Sequence, residues 1–154
     1  MKIISITALL LVAALTLTAC GKDEKEEFAE EGNQICKDLE PKGNAAEKEI
    51  EAAGQDPDKL KAALEDNRGV LTETQQKFDG LDAPEDQKAD FDAYKADLAQ
   101  AVELYDQLPE ALDAAVEDGE TKQITDLQAQ ITTLSEKGKA DARKLGFDSC
   151  AQDS

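Results

Sequence analysis

The 154-residue sequence contains no histidine, no tryptophan and only one methionine. Without histidine, the serine or cysteine triads that use it as their general base are excluded. Beyond the N-terminal segment the only serines are Ser135, Ser149 and Ser154, and none lies in the pattern of a nucleophile elbow. A glycine-rich phosphate loop is also missing. These absences predict a protein that is not an enzyme and that uses no cofactor.

Basic residues are few: 17 Lys and Arg stand against 35 Asp and Glu, which gives a formal net charge of −18. Nucleic acids are bound through clusters of basic side chains that face the phosphates, and this sequence has no such cluster. We therefore expect no nucleic-acid partner. Anionic lipid headgroups should repel the domain for the same reason, so membrane attachment requires another source.

The start of the chain has the pattern of an export signal, in which Lys2 precedes an apolar stretch from Ile3 to Leu17. The order Leu17-Thr18-Ala19-Cys20 that closes this stretch resembles the lipobox of bacterial lipoproteins. The resemblance implies that Cys20 carries a lipid, that residues 1–19 are removed as a signal peptide, and that residues 20–27 form a tether. The alternative is an anchor that is never cut, although about 17 apolar residues are marginal for spanning a bilayer.

Three cysteines are an odd number for an exported protein, but lipidation of Cys20 leaves Cys36 and Cys150 as an even pair. Because export leads to an oxidising compartment, we predict a disulfide between these two residues. The alternative is a redox or metal-binding pair. It is disfavoured because the sequence has no Cys-x-x-Cys motif and no histidine.

Helical periodicity dominates the remainder of the chain, which is rich in Ala, Leu, Glu, Lys, Gln and Asp. Four main helices joined by short turns predict an all-α fold, an antiparallel up-down four-helix bundle over residues 28–150. A tail is expected at residues 151–154.

Local signals predict where the helices begin and end. Asp56-Pro57 is an N-cap followed by a proline in the first helical position, and Asp82 with Glu85 has the spacing of a capping box for the third helix. Gly146 supplies the left-handed residue after the last helix, and Phe147 is expected to fold back onto its final turn.

Two prolines predict interruptions of helices. The first helix is expected to break at Pro41 to Gly43 and to resume afterwards. Pro109 should kink or break the third helix, since it removes an amide and its ring clashes with the preceding turn. A short fifth helix from Pro109 to Glu117 is one form of such a break.

The last helix, expected from about Glu120 to Leu145, carries a heptad seam that small or polar residues interrupt near its end. The seam consists of Ile124, Leu127, Ile131, Leu134, Gly138, Asp141 or Ala142, and Leu145.

Four carboxylates near one turn are candidates for a weak divalent-cation site, with Ca²⁺ as the cation that such oxygen ligands suit best. They are Asp79, Asp82, Glu85 and Asp86. Their spacing lacks the EF-hand pattern, so a solvated acidic face is the simpler interpretation, and no metal is assigned.

Over most of its mature length the chain resembles the small, uncharacterised helical lipoproteins of bacteria. The resemblance rests on the lipobox, on Gln34-Ile35-Cys36, on Leu81-Asp82-Ala83-Pro84 before the third helix, and on the terminal segment from Lys144 to Cys150. It implies a disulfide-clamped helix bundle held by lipid at the cell membrane or the outer membrane, outside the cytoplasm, and no known activity.

Two functional hypotheses remain open. The first is a noncatalytic, acidic envelope lipoprotein that binds an envelope or surface protein or has a structural role. The second is a carrier of a solute or divalent cation with a pocket between its helices. A closed apolar seam favours the first, whereas a cavity flanked by Tyr94, Tyr105 and buried carboxylates favours the second. Neither hypothesis fixes an oligomeric state.

Overall fold

A computed structural model describes residues 24–152 as four long helices followed by a short 3₁₀ helix. The helices are α1 (Glu24–Ala53), α2 (Pro57–Asp79), α3 (Lys88–Asp118), α4 (Lys122–Leu145) and the C-terminal 3₁₀ helix (Asp148–Ala151). These residues contain no strand, so the predicted all-α four-helix bundle is confirmed.

The helices pack in chain order: α1 on α2, α2 on α3 and α3 on α4. Direct packing of α1 against α4 is slight, and the C-terminal 3₁₀ helix packs on both of them instead. The bundle is therefore open along much of the seam between its first and last helices.

Several helix ends lie where the sequence predicts them. The Asp56 side chain accepts a hydrogen bond from the Lys59 amide at 3.2 Å, and α2 begins at Pro57. Gly80 follows the last residue of α2, and Gly146 takes a left-handed φ of 79° after α4.

The predicted break of the first helix is wrong, because α1 is continuous through Pro41. The third helix is not broken either, since α3 is continuous through Pro109, and a kink at Pro109 stays a prediction. No separate helix forms from Pro109 to Glu117. Buried side chains lie on both sides of each proline, and their packing into one core outweighs the local cost of about 3 kcal/mol. These side chains are Leu39 and Ala46 in α1, and Leu104, Leu108, Ala111 and Leu112 in α3.

The predicted start of the third helix is also wrong, since α3 begins at Lys88 and not at Asp82. Leu81 and Ala83 pack against the apolar core and hold this segment outside the helix. The Gln87 amide then donates to the Pro84 carbonyl at 2.9 Å in a turn before α3. At the same end of the bundle, residues 24–27, expected in the tether, form the first turn of α1.

The core has two parts along the bundle axis. An aromatic cluster lies at the end that contains the start of α1 and the end of α4; its members include Phe28, Phe78, Phe91, Tyr94 and Phe147. A leucine cluster fills the other end, with Leu64, Leu104, Leu108, Leu112 and Leu127 among its members.

Candidate functional site: a cleft between the first and last helices

The chain turns back after α4 and closes one end of the bundle. The Phe147 amide donates to the Ala142 carbonyl at 2.9 Å, and the Phe147 side chain is fully buried. Its ring centroid lies 5.0 to 6.2 Å from four other aromatic rings. Those rings belong to Phe28, Phe78, Phe91 and Tyr94, on α1, α2 and α3. The predicted fold-back of Phe147 is confirmed.

Gly32 in α1 provides the space that Phe147 occupies. A Cβ atom at position 32 would lie 2.2, 2.4 and 2.7 Å from three atoms of the Phe147 ring. Such distances are far below van der Waals contact, so no side chain fits at position 32 while the ring is in place. A Cβ at Gly43, in the same helix, would meet nothing within 4 Å.

Asn33 makes three side-chain hydrogen bonds, two of which hold the returning chain. Its amide nitrogen donates to the Ala29 and Gly146 carbonyls, both at 2.7 Å. Its side-chain oxygen accepts from the Ser149 amide at 2.6 Å. One side chain of α1 therefore satisfies two backbone groups that lie 113 and 116 residues later in the chain.

Cys36 and Cys150 complete this junction. Their sulfur atoms lie 2.01 Å apart and their Cα atoms 5.2 Å apart, so the disulfide expected from the cysteine count is present. The bond joins α1 to the C-terminal 3₁₀ helix. Because α1 and α4 have little direct contact, the 3₁₀ helix and this disulfide are the principal link between them.

Past the disulfide, the seam between α1 and α4 opens into a cleft of about 330 Å³, which we call the α1–α4 cleft. All four helices and the C-terminal 3₁₀ helix contribute to its walls. The walls include Glu47, Asn67, Tyr94, Asp97, Tyr105 and Gly138.

Gly138 accounts for part of this opening. It occupies a seam position of α4 at which the heptad pattern calls for an apolar side chain, and it lines the α1–α4 cleft. A Cβ built on Gly138 would meet no atom within 4 Å. There is room for a side chain at position 138, but glycine has none, so this part of the interior between the helices stays unfilled.

Tyr94 and Tyr105 both lie in the wall of the α1–α4 cleft. The Tyr94 ring packs edge-on against Phe78, and burial raises the pKa of the Tyr94 hydroxyl far above its ordinary value. The Tyr105 hydroxyl accepts a hydrogen bond from the Asn67 amide at 3.3 Å. Burial, and then the nearby Glu47 carboxylate, raise the pKa of Tyr105. Both phenols therefore stay protonated near neutral pH and can donate to a ligand.

Asp97 supplies a buried carboxylate on the same wall, but it is paired. Lys137 donates to Asp97 and, at 3.2 Å, to Asp141, while Lys144 reaches Asp141 at 2.5 Å. The hydrogen bond from Lys144, followed by that from Lys137, lowers the pKa of Asp141. The bonds to Asp97 and Asp141 raise the pKa of Lys137. This network ties α3 to α4.

Glu47 is the carboxylate of the α1–α4 cleft without a counterion. It pairs with no cation among residues 24–152. Lys139, the basic residue of the cleft wall, lies 3.6 Å from Glu136. None of the described lysines or arginines therefore neutralises the negative charge of Glu47 at the cleft.

A second, mainly apolar cavity of about 420 Å³ adjoins the α1–α4 cleft beside the leucine cluster, and we call it the apolar extension. The two spaces share Tyr105 and Ile131 in their walls. The extension is lined mainly by Ile50, Leu60, Leu64, Leu108, Leu112 and Ile124. One end of the combined space is therefore polar and acidic, and the other is apolar.

The four carboxylates considered for a divalent cation do not share one site. Asp86 pairs with Lys25, and Asp79 lies 3.9 Å from Lys95. Asp82 and Glu85 are exposed in the segment before α3. Over residues 24–152 no three acidic or cysteine side chains are grouped so that they could hold one metal ion.

The predicted signal peptide, the lipidated Cys20 and the tether up to residue 23 lie outside the described residues, as do residues 153 and 154. Among the four helices of the described range, none combines the length and the apolar character that crossing a bilayer requires.

Sequence reasoning identified Tyr94, Tyr105 and the cysteine pair, but it missed Gly32, Asn33 and the cleft itself. The interruption of the α4 seam at Gly138 was the available signal for the cleft. Gly32 and Asn33 carried no local signal, because their partners lie more than 100 residues away.

Comparisons of the chain with protein-family models, with curated proteins and with solved structures found no match.

Proposed function

We propose that this protein is a noncatalytic, lipid-anchored binding protein of the cell envelope, and that the α1–α4 cleft holds a small organic ligand. The observation that carries the proposal is an unfilled space flanked by Tyr94, Tyr105 and the buried carboxylate of Asp97. This is the arrangement that distinguishes a carrier from a closed structural bundle.

The dimensions of the space support a small molecule. The α1–α4 cleft and its apolar extension measure about 330 and 420 Å³. Sites for small ligands typically occupy about 300 to 1,000 Å³ and combine apolar walls with a few polar groups. Here the polar groups include the two phenols, Asn67, Asp97 and Glu47.

The anchor is the lipid that the lipobox resemblance assigns to Cys20. Only four peptide steps separate Cys20 from the start of α1, a reach of about 14 Å at full extension. The start of α1 would then face the membrane. The cleft, which runs from the disulfide to Ile50, would lie about 20 to 40 Å along α1 from that end. A ligand could enter it from the aqueous side.

Replacing Cys20 by alanine tests the anchor. We expect the variant to leave the membrane fraction or to remain as an uncut precursor, as judged by fractionation and mass. Unchanged processing together with unchanged membrane retention would refute lipidation.

Native mass spectrometry of the protein isolated from its own membranes tests the cleft. We expect a bound species in the parent protein and its loss in Gly138→Leu, because the added side chain fills the cleft from α4. Gly69→Leu is the matched control: it is also a helical glycine with nothing within 4 Å, but it lies outside the cleft. This control should keep the ligand.

A structural or protein-binding role without a small ligand is the second candidate, and the closed aromatic cluster around Phe147 favours it. That candidate predicts no bound species in any of the three proteins. A species retained equally by Gly138→Leu would place the ligand elsewhere and overturn the assignment of the cleft.

A further inference from the structure

The α1–α4 cleft and its apolar extension are adjoining cavities that differ in chemistry. Tyr105 and Ile131 belong to both walls, so a ligand that spans the two parts passes between these side chains. The extension beyond them is lined mainly by isoleucine and leucine, with Gln128 and Thr132 as further polar residues, and it offers no ionic partner. These walls favour an apolar chain, since a buried polar group without a partner costs free energy.

The other end of the space selects for positive charge. Glu47 has no cation partner in the described part of the chain, whereas Asp97 is paired with Lys137 and Lys139 with Glu136. The Glu47 carboxylate is close enough to Tyr105 to raise the pKa of that phenol. An anionic headgroup placed beside the exposed Glu47 carboxylate would be repelled by it, whereas a cationic headgroup would be attracted.

The chain as a whole strengthens this preference. A net charge of −18 attracts cations to its surface and repels anions over about one Debye length. The same charge disfavours a second copy of the chain as the group that covers the cleft, because two chains of net charge −18 repel each other.

We propose that the ligand of the α1–α4 cleft is an organic cation with an apolar chain, whose positive group lies against Glu47 and whose chain enters the extension past Tyr105 and Ile131. This inference rests on the proposed binding function and adds the chemical class of the ligand.

Three probes with the same eight-carbon chain and different headgroups test the proposal: octyltrimethylammonium, octanol and octanoate. Each is titrated into the isolated protein reconstituted in phosphatidylcholine nanodiscs, at low ionic strength, with empty nanodiscs as the blank. Methyl NMR follows Ile131 in the cleft and Ile35, which packs at the aromatic end, as the distant reference.

We expect octyltrimethylammonium to shift Ile131 but not Ile35, and to bind more tightly than octanol and octanoate. Glu47→Gln should weaken the cation by about two- to fivefold, the range for an exposed ion pair, and should leave octanol unchanged. Glu65→Gln removes one charge from an exposed site outside the cleft and should change neither. Added salt should reduce the advantage of the cation.

The possible failures separate the two proposals. Octanol or octanoate binding as tightly as the cation would overturn the cationic class while leaving the cleft as a binding site. Equal effects of Glu47→Gln and Glu65→Gln would overturn the role of Glu47. No shift of Ile131 with any probe would overturn the proposed function as well. If the Ile131 methyl signal shifts with protein concentration when no probe is present, the cleft is a self-association surface, and both the cationic class and the proposed function are overturned.

Discussion

Replacing Gly32 by alanine should destabilise this protein strongly, although the same change elsewhere in α1 should stabilise it. The new Cβ would lie 2.2 to 2.7 Å from three atoms of the Phe147 ring, which is fully buried among four other aromatic rings. The ring has no free space to enter, so it must leave the core or force α1 away from it.

The magnitude follows from two opposing effects. Losing the packing of a buried phenylalanine costs about 3 to 5 kcal/mol. Replacing a glycine inside a helix by alanine returns about 0.5 to 1 kcal/mol. We therefore expect Gly32→Ala to lower the free energy of unfolding by about 2 to 4 kcal/mol. Gly43→Ala has nothing within 4 Å of its Cβ and should raise it by about 0.5 to 1 kcal/mol.

Urea unfolding of the oxidised proteins, followed by circular dichroism at 222 nm, measures both changes. A second background isolates the cause: in Phe147→Ala the clash is absent, so Gly32→Ala should become neutral or stabilising there. If Gly32→Ala and Gly43→Ala shift the unfolding midpoint in the same direction, or if Gly32→Ala costs as much without the Phe147 ring, the reasoning is refuted.

Three further predictions concern the junction between α1 and the end of the chain and the ion network of α4. Removing the disulfide by replacing Cys36 and Cys150 together with alanine should lower the free energy of unfolding by about 5 kcal/mol, because the bond closes a loop of 114 residues; urea titration checks this, and an unchanged midpoint contradicts it. Asn33→Ala should lower the free energy of unfolding by about 1 to 3 kcal/mol and speed hydrogen exchange at the Ser149 amide, since that amide loses its acceptor. Unchanged exchange at Ser149 would contradict the role of Asn33 in holding the C-terminal segment. Asp141→Asn should destabilise the protein at pH 7 and have little effect at a pH below the folded-state pKa of Asp141. The lowered pKa of Asp141 means that its ionised form stabilises the fold above the ordinary carboxyl range, and this contribution is lost as the pH falls through the folded-state pKa; an equal effect at both pH values would argue against the ion pairs.

Much of the fold could be predicted because its signals are local. The Asp56-Pro57 start of α2, the Gly146 end of α4 and the apolar seams depend on residues within a few positions of one another. The disulfide was predictable for a different reason, since counting cysteines requires no geometry. Neither the helix ends nor the disulfide required knowledge of which helices contact one another.

The predicted helix boundaries were wrong where packing against residues far away in the sequence outweighs the local helix propensity. Pro41 and Pro109 disfavour a helix locally, yet both lie inside continuous helices because buried residues before and after each proline share one core. The capping signal at Asp82 was overridden by the packing of Leu81 and Ala83 against the aromatic cluster. Propensities of about 1 to 3 kcal/mol yield to the burial of several side chains.

The sequence by itself determined that this chain is acidic, helical, without histidine chemistry and equipped with a lipobox-like Cys20. These properties depend on composition and on short segments. Three features were decided only by the tertiary structure. The Phe147 ring packs against Gly32, Asn33 hydrogen-bonds the chain that returns after α4, and a cleft opens at Gly138. Each of these depends on atoms brought together from opposite ends of the chain or from separate helices, and the packing of a core is fixed only when all of its neighbours are in place.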